Sequence, residues 1–352
     1  MLRYYWGTLM TSIAYRKMAR HRLGWLITGV TLLLLSILID LSTGPALLNI
    51  YDVFSTFFSP EKMSDPMVYV IVHNIRLPMT MMAIVVGASL GAAGALMQTI
   101  LGNPLASPYT LGFSAAAGFG AAVTILFGLE LPYFPELSVP FFAFIAASTA
   151  CALVYGVAQL KGVTAEVMVL SGIATLFLFQ SLQSLAQYMA SPEVLQEIVF
   201  WLFGSMLKAN WFSVSVGSSI FLFSVLVLTK DCWKLTALRL GDDRALSLGV
   251  NVQRLRLKVF AVVSLLTAGA VAFVGTIGFI GLVAPHIARM LVGEDHRLLL
   301  PFSSITGAVL MVAASIISKV ISPGSIVPIG IVTAVVGVPF LFGLILTNKR
   351  GS

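Results

Sequence analysis

Side chains able to do covalent or metal chemistry are few in this chain, and their spacing excludes most of what they could do. The four histidines, His21, His73, His286 and His296, are scattered, with none of the short separations that hold a metal ion. No Ser/His/Asp set or carboxylate pair presents itself in the apolar stretches. No G-x-x-x-x-G-K-[ST] occurs, so the chain carries no P-loop of its own. The buried charges that a proton or sodium relay needs are nearly absent. One polar island stands out. Leu238 to Lys258, LRLGDDRALSLGVNVQRLRLK, carries Arg239, Arg244, Arg254, Arg256 and Lys258 between two apolar runs. Positive charge of that density beside a membrane span marks a cytoplasmic loop. Its spacing predicts a short helix: Asp242 caps the start, Ala245, Leu246 and Leu248 form an apolar side, and Gly249 closes the end. A helix of about two turns is marginal alone in water, so the segment packs against something. Such a knob suits the docking of a soluble partner; a plain solvated loop that only fixes topology is the alternative.

The elements around this island must be mostly lipid-facing. Hydrophobic residues make up 58% of the 352, and charged residues only 10%. A mean hydropathy of +0.98 exceeds what one buried core explains and requires lipid as the outer solvent. The pattern predicts an all-α, polytopic membrane protein with about ten spans, near 23–41, 76–99, 111–129, 138–160, 166–189, 212–229, 258–276, 279–293, 301–320 and 327–347. Arg3, Arg16, Lys17, Arg20 and Arg22 precede the first run with no small-residue cleavage site after it, so that run reads as an uncleaved span with its N-terminus inside. Ten crossings return the C-terminus inside as well. All but Lys62, Arg76, Lys208 and Lys319 of the 21 Lys and Arg then fall on the cytoplasmic side, which supports the topology and explains the net charge of +7 without nucleic acid. Cys151 lies mid-span and Cys232 at a span edge beside Lys230 and Lys234, depths too different for a disulfide.

Outside, residues 42–75 carry Asp52, Glu61 and Asp65, and 191–211 reads as an amphipathic helix at the interface, with Trp201 and Trp211 as anchors. Gly87, Gly91 and Gly94 in one span, and Gly269, Gly275, Gly278 and Gly281 in later ones, let helix backbones approach closely. The two stripes also hint at an inverted repeat. Pro104, Pro108 and Pro285 break helices at membrane depth, which is tolerated only inside protein or along a cavity. Asn103, Pro104, Ser171, Gln180, Gln183, Pro285 and His286 are therefore the candidate pathway residues, with Tyr188 and Met189 continuing a mildly polar lining over 166–189.

Four ordered stretches resemble the permeases of type II ABC importers, the FecCD-type family that takes up iron-siderophores, haem and vitamin B12. They are Arg76-Leu77-Pro78 followed by GASLGAAGALMQTILGNPLASPYTLG, then LGDDRALSLGV, GFIGLVAPHIARMLVGEDHRLLLP and VPIGIVTAVVGVPFLFGLIL. The resemblance implies a single transmembrane permease domain over 1–352, with a cytoplasmic segment at 1–22 and a coupling loop at 230–258, in a bacterial or archaeal cytoplasmic membrane. It implies no cofactor and no catalysis. A pair of ATPase subunits would grip Gly241, Asp242, Asp243, Ala245, Leu248 and Gly249. A second permease copy, the same or related, would complete the pore, and an extracytoplasmic binding protein would deliver a ferric siderophore; haem, vitamin B12 and molybdate are the alternatives. Two positions depart from the family: Met79 stands where a second arginine is frequent, and Ser315 and Lys319 replace an Asp and an Arg. Arg76 and Lys319 remain as the cations expected to dock the binding protein. A secondary transporter or an intramembrane enzyme is the rival class, each lacking the residues it needs.

Overall fold

A computed structural model describes residues 2–46, 48–58, 66–322 and 324–347, with residues 2–21, 344, 345 and 347 described by backbone alone. Glu61, Lys62, Asp65, Lys349 and Arg350 lie outside the described residues. The described elements are helical: α1 Leu2–Ser42, α2 Ile50–Phe58, α3 Pro66–Ile100, α4 Phe113–Phe127, α5 Ser138–Lys161, α6 Ala165–Met189, α7 Pro192–Leu202, α8 Trp211–Thr229, α9 Cys232–Leu238, α10 Asp242–Ser247, α11 Val252–Val274, α12 Ile280–Val292, α13 His296–Val320 and α14 Ile329–Thr347. Among the described residues, seven helices are long and apolar enough to cross a membrane, and the apolar helices Phe113–Phe127, Ile280–Val292 and Ile329–Gly343 are shorter. At 1.5 Å per residue α12 is only about 20 Å long, against about 30 Å of hydrocarbon. The about ten expected spans thus divide by length into two kinds.

Three boundaries differ from the hydropathy reading. α1 continues back to Leu2 through the basic residues, because nothing in that stretch breaks a helix. α3 starts at Pro66 and passes through a π-helical stretch, Ile71–Arg76, before Pro78. The expected interfacial helix over 191–211 stops at Leu202, where Gly204 takes φ +73° and turns the chain into a loop up to Asn210. Trp201 is partly buried against the alanine-rich cluster that includes Ala117, Ala121, Ala268 and Ala272. Trp211 stays exposed, its indole N–H donating to the His73 carbonyl at 3.2 Å.

α3 is the centre of the bundle: 83% of its most apolar window is buried, against 6% for α1. Its small residues make this possible. A Cβ on Gly87 would sit 2.3 Å from the Gly307 carbonyl oxygen, one on Gly91 2.2 Å from that of Ser303, and one on Gly94 1.7 Å from that of Gly281. No side chain fits at such distances, so α3 touches α13 and α12 backbone to backbone. Of the two glycine stripes read from the sequence, Gly94 of the first meets Gly281 of the second, while Gly269 packs on Ile220 and Gly275 on Trp201 and Gly204.

Candidate functional site

Gly241, with φ +99°, turns the chain from α9 into α10, and Gly249, with φ +81°, closes the knob. Gly241 takes the cap position expected for Asp242. The Asp242 carboxylate is used otherwise. It receives both terminal nitrogens of Arg256, Nη1 to Oδ2 at 2.7 Å and Nη2 to Oδ1 at 2.9 Å. Arg256 is only 6% exposed, and its Nε donates to the Ile100 carbonyl at 2.9 Å and its Nη1 to that of Val163 at 3.3 Å. One guanidinium therefore ties the knob to the end of α3 and to the turn between α5 and α6. The sequence marked Arg256 only as one loop cation among five.

Of the expected apolar side, only Ala245 points inward, fully buried. Leu246 and Leu248 project outward, and Leu240 joins them. A helix of six residues has one inward face, and the small Ala245 side chain lets it lie close to the bundle. The result is an exposed apolar patch beside the exposed Asp243.

Further charge pairs brace the same end. Asp231 binds Lys234 at 2.7 Å and Lys258 at 2.5 Å. Burial pushes the Asp231 pKa up, but the hydrogen bonds from Lys234 and Lys258 outweigh it and hold the carboxyl below its ordinary value. Glu294 is shared by Arg239 at 2.7 Å and Arg289 at 3.1 Å, and Arg289 also reaches the Gln98 side chain of α3 at 2.9 Å. His296 is fully buried, with Nε2 2.7 Å from the Thr99 hydroxyl, and its backbone N–H donates to the Thr236 hydroxyl at 3.1 Å.

At the opposite end the two cations expected to dock a binding protein are buried. Lys319 is 6% and Arg76 4% exposed, so neither sits on a rim. The Lys319 ammonium lies 2.8 Å from Asp40 Oδ1, and the Thr80 hydroxyl donates to Asp40 Oδ2 at 2.5 Å. The Arg76 guanidinium donates to the carbonyls of Leu41, at 2.7 Å, and Ala46. Both cations are spent within the chain, clamping the end of α1 to α3 and α13. Asp40, distant in sequence from both, gave no sign of this.

The candidate pathway residues do not converge on one cavity. Asn103 lines a hollow of about 360 Å³ with Glu166 and Leu170, and Pro104 is exposed nearby. Ser171 is buried, its hydroxyl donating to Val167 O within α6. Gln180 is exposed, and Gln183 faces Gly118 of α4. Pro285 is buried, while the half-buried His286 ring meets Phe340 edge-on at 6.3 Å. Another cavity, of about 490 Å³, lies at the broken ends of α12 and α14, lined by Tyr109, Thr110, Phe203, Thr276, Phe279 and Ile331. Broken backbones meet there: Ile329 N–H donates to Gly204 O at 3.0 Å, and Ser205 N–H to Val274 O at 2.7 Å. Phe279 is held at φ +66°, the one non-glycine residue with positive φ among those described, and its ring occupies the space that a side chain at Gly337 would need. The flanking Gly275 and Gly278 were the available signal for this break.

The pattern of the FecCD transport family matches residues 32–347. The chain belongs to that family. Relatives agree along nearly the whole length. The Fe(3+)-citrate import system permease protein YfmD of Bacillus subtilis is 33% identical, over 94% of this chain and 96% of its own. The cobalamin import system permease protein BtuC of Halobacterium salinarum is 36% identical, over 78% of this chain and 73% of its own. A solved structure of a metal-chelate type ABC transporter in an inward-facing conformation superimposes with a TM-score of 0.81 at 31% identity, covering 93% of this chain and 99% of that one. The protein is thus an ABC transporter permease, a multi-pass pore subunit that is not itself catalytic; ATP hydrolysis lies in a separate subunit.

Proposed function

We propose that the permease imports a ferric siderophore or similar iron chelate, paired with a second permease copy, driven by two ATPase subunits and fed by an extracytoplasmic binding protein. The basic end then faces the cytoplasm. The observation that carries this reading is the knob: an exposed apolar patch of Leu240, Leu246 and Leu248 for a soluble partner, on a helix anchored by Asp242 and Arg256 to α3 and to the turn before α6. Pressure on such a rigid lever reaches the pathway helices directly, because packed elements shift as bodies. Gly241, Asp243, Ala245 and Gly249 shape the lever. The cavity between Phe203 and Phe279 is apolar with a few hydroxyls, which suits a bulky chelate bound mainly by its carrier.

Reconstitution tests the reading. Permease and ATPase, co-purified and placed in liposomes with the binding protein, take up ferric siderophore in an ATP-dependent way on this account. Uptake of cobalamin or haem in its place, with none of the iron chelate, would refute the substrate. A fully transporting monomer would refute the paired pore.

A further inference from the structure

A slot of about 490 Å³ opens on the flank of the bundle, away from the pathway cavity. Its floor is Ala88 and Ala92 of α3, and its walls come from Val225 of α8, Leu300 of α13 and Leu33 of α1. Val225 is 38% exposed, so the slot opens sideways, toward the space that lipid fills around a multi-pass protein. It runs along α13 from Arg297 to Ala308. That is about 16 Å of helix at 1.5 Å per residue, close to half of the about 30 Å hydrocarbon core. One acyl chain of one leaflet has this length.

The slot carries charge at one end only. Arg297 marks its mouth and is exposed, and among the described residues its guanidinium forms no salt bridge, since Asp295 is turned to accept the Arg297 backbone N–H at 3.0 Å. The exposed Lys230 directly follows the lining residue Thr229, and the Arg22 guanidinium reaches Gly293 in the turn before α13. A leaflet-long apolar slot ending at cations that form no salt bridge among the described residues matches a phosphate headgroup with its acyl chain below. We propose that this slot binds an anionic phospholipid of the leaflet at the basic end.

Native mass spectrometry of the delipidated permease–ATPase complex, with phosphatidylglycerol or phosphatidylcholine added back, tests it. The account expects phosphatidylglycerol to be retained about five-fold more tightly, the effect of about 1 kcal/mol for one cation near the headgroup. Arg297→Gln removes that preference, and Val225→Trp, which fills the slot, removes retention of both lipids. Equal retention of the two lipids, a preference unchanged in Arg297→Gln, or glycerol 3-phosphate binding as tightly without acyl chains would each overturn the proposal. The unfolding midpoint of each variant in detergent shows whether it is folded; should Val225→Trp fail to fold, Arg297→Gln still decides.

Discussion

At one end of the bundle Asp40 and Lys319 are both withdrawn from solvent, with side-chain exposures of 0% and 2%; at the other, Arg256 is buried while its partner Asp242 is 47% exposed. The first arrangement locks. Neither group can leave without stranding a charge in a low-dielectric interior, which costs several kcal/mol. The second is open to solvent on one side, because the acid already touches water, although its bidentate geometry keeps the pair a real contributor. Glu294, 42% exposed between Arg239 and Arg289, repeats the solvent-facing pattern. The end opposite the knob is therefore built to hold three helices together, while the basic end keeps its acids in reach of solvent.

The largest expected effect breaks the lock. Lys319→Met leaves Asp40 buried and unpaired, and is expected to cost about 3–5 kcal/mol in detergent unfolding. Adding Asp40→Leu to that variant should restore most of the loss, since a neutral pair of similar volume needs no charge partner. Next comes the packing that links the two ends. Gly94→Ala drives a methyl into the Gly281 backbone and should cost about 1–3 kcal/mol. Gly156→Ala, with nothing within 4 Å, should instead gain up to about 1 kcal/mol from helix propensity alone. Gly249→Val forces a branched residue into the left-handed region and should strain the knob by about 1–2 kcal/mol while leaving membrane insertion intact. The smallest effect is one of pH. Because the Asp231 pKa is depressed in the folded protein, its pairing with Lys234 and Lys258 stabilises fully above the unfolded value of about 3.9 and is lost as pH falls through the lower folded value. Unfolding midpoints should be insensitive to Asp231→Asn below that window and sensitive to it at pH 5–7.

Much of this was legible in the sequence, and the reasons for the rest are physical. Apolar runs located the seven helices long enough to cross a membrane and the three shorter apolar ones among the described residues, because lipid demands that composition wherever helices cross. The stripe of Gly87, Gly91 and Gly94 announced a backbone contact, since nothing else calls for glycine at one helical face. The knob was placed by charge, and Gly249 closes it as expected. What failed involved partners far along the chain. Arg76 and Lys319 read as rim cations because Asp40, the acid that draws Lys319 inward, sits on another helix. Asp242 read as a cap because Arg256 could not be seen to face it, and Leu246 and Leu248 read as packing residues because a helix this short gives no period to orient.

The most direct test of the solvent-facing end is the number of chelate molecules transported per ATP hydrolysed by the reconstituted importer carrying Asp242→Asn. That change leaves the exposed apolar patch of Leu240, Leu246 and Leu248 in place but removes the charge that holds the knob to Arg256. The account predicts continued ATP hydrolysis and a several-fold lower transport ratio. A transport ratio equal to that of the unaltered permease would contradict it.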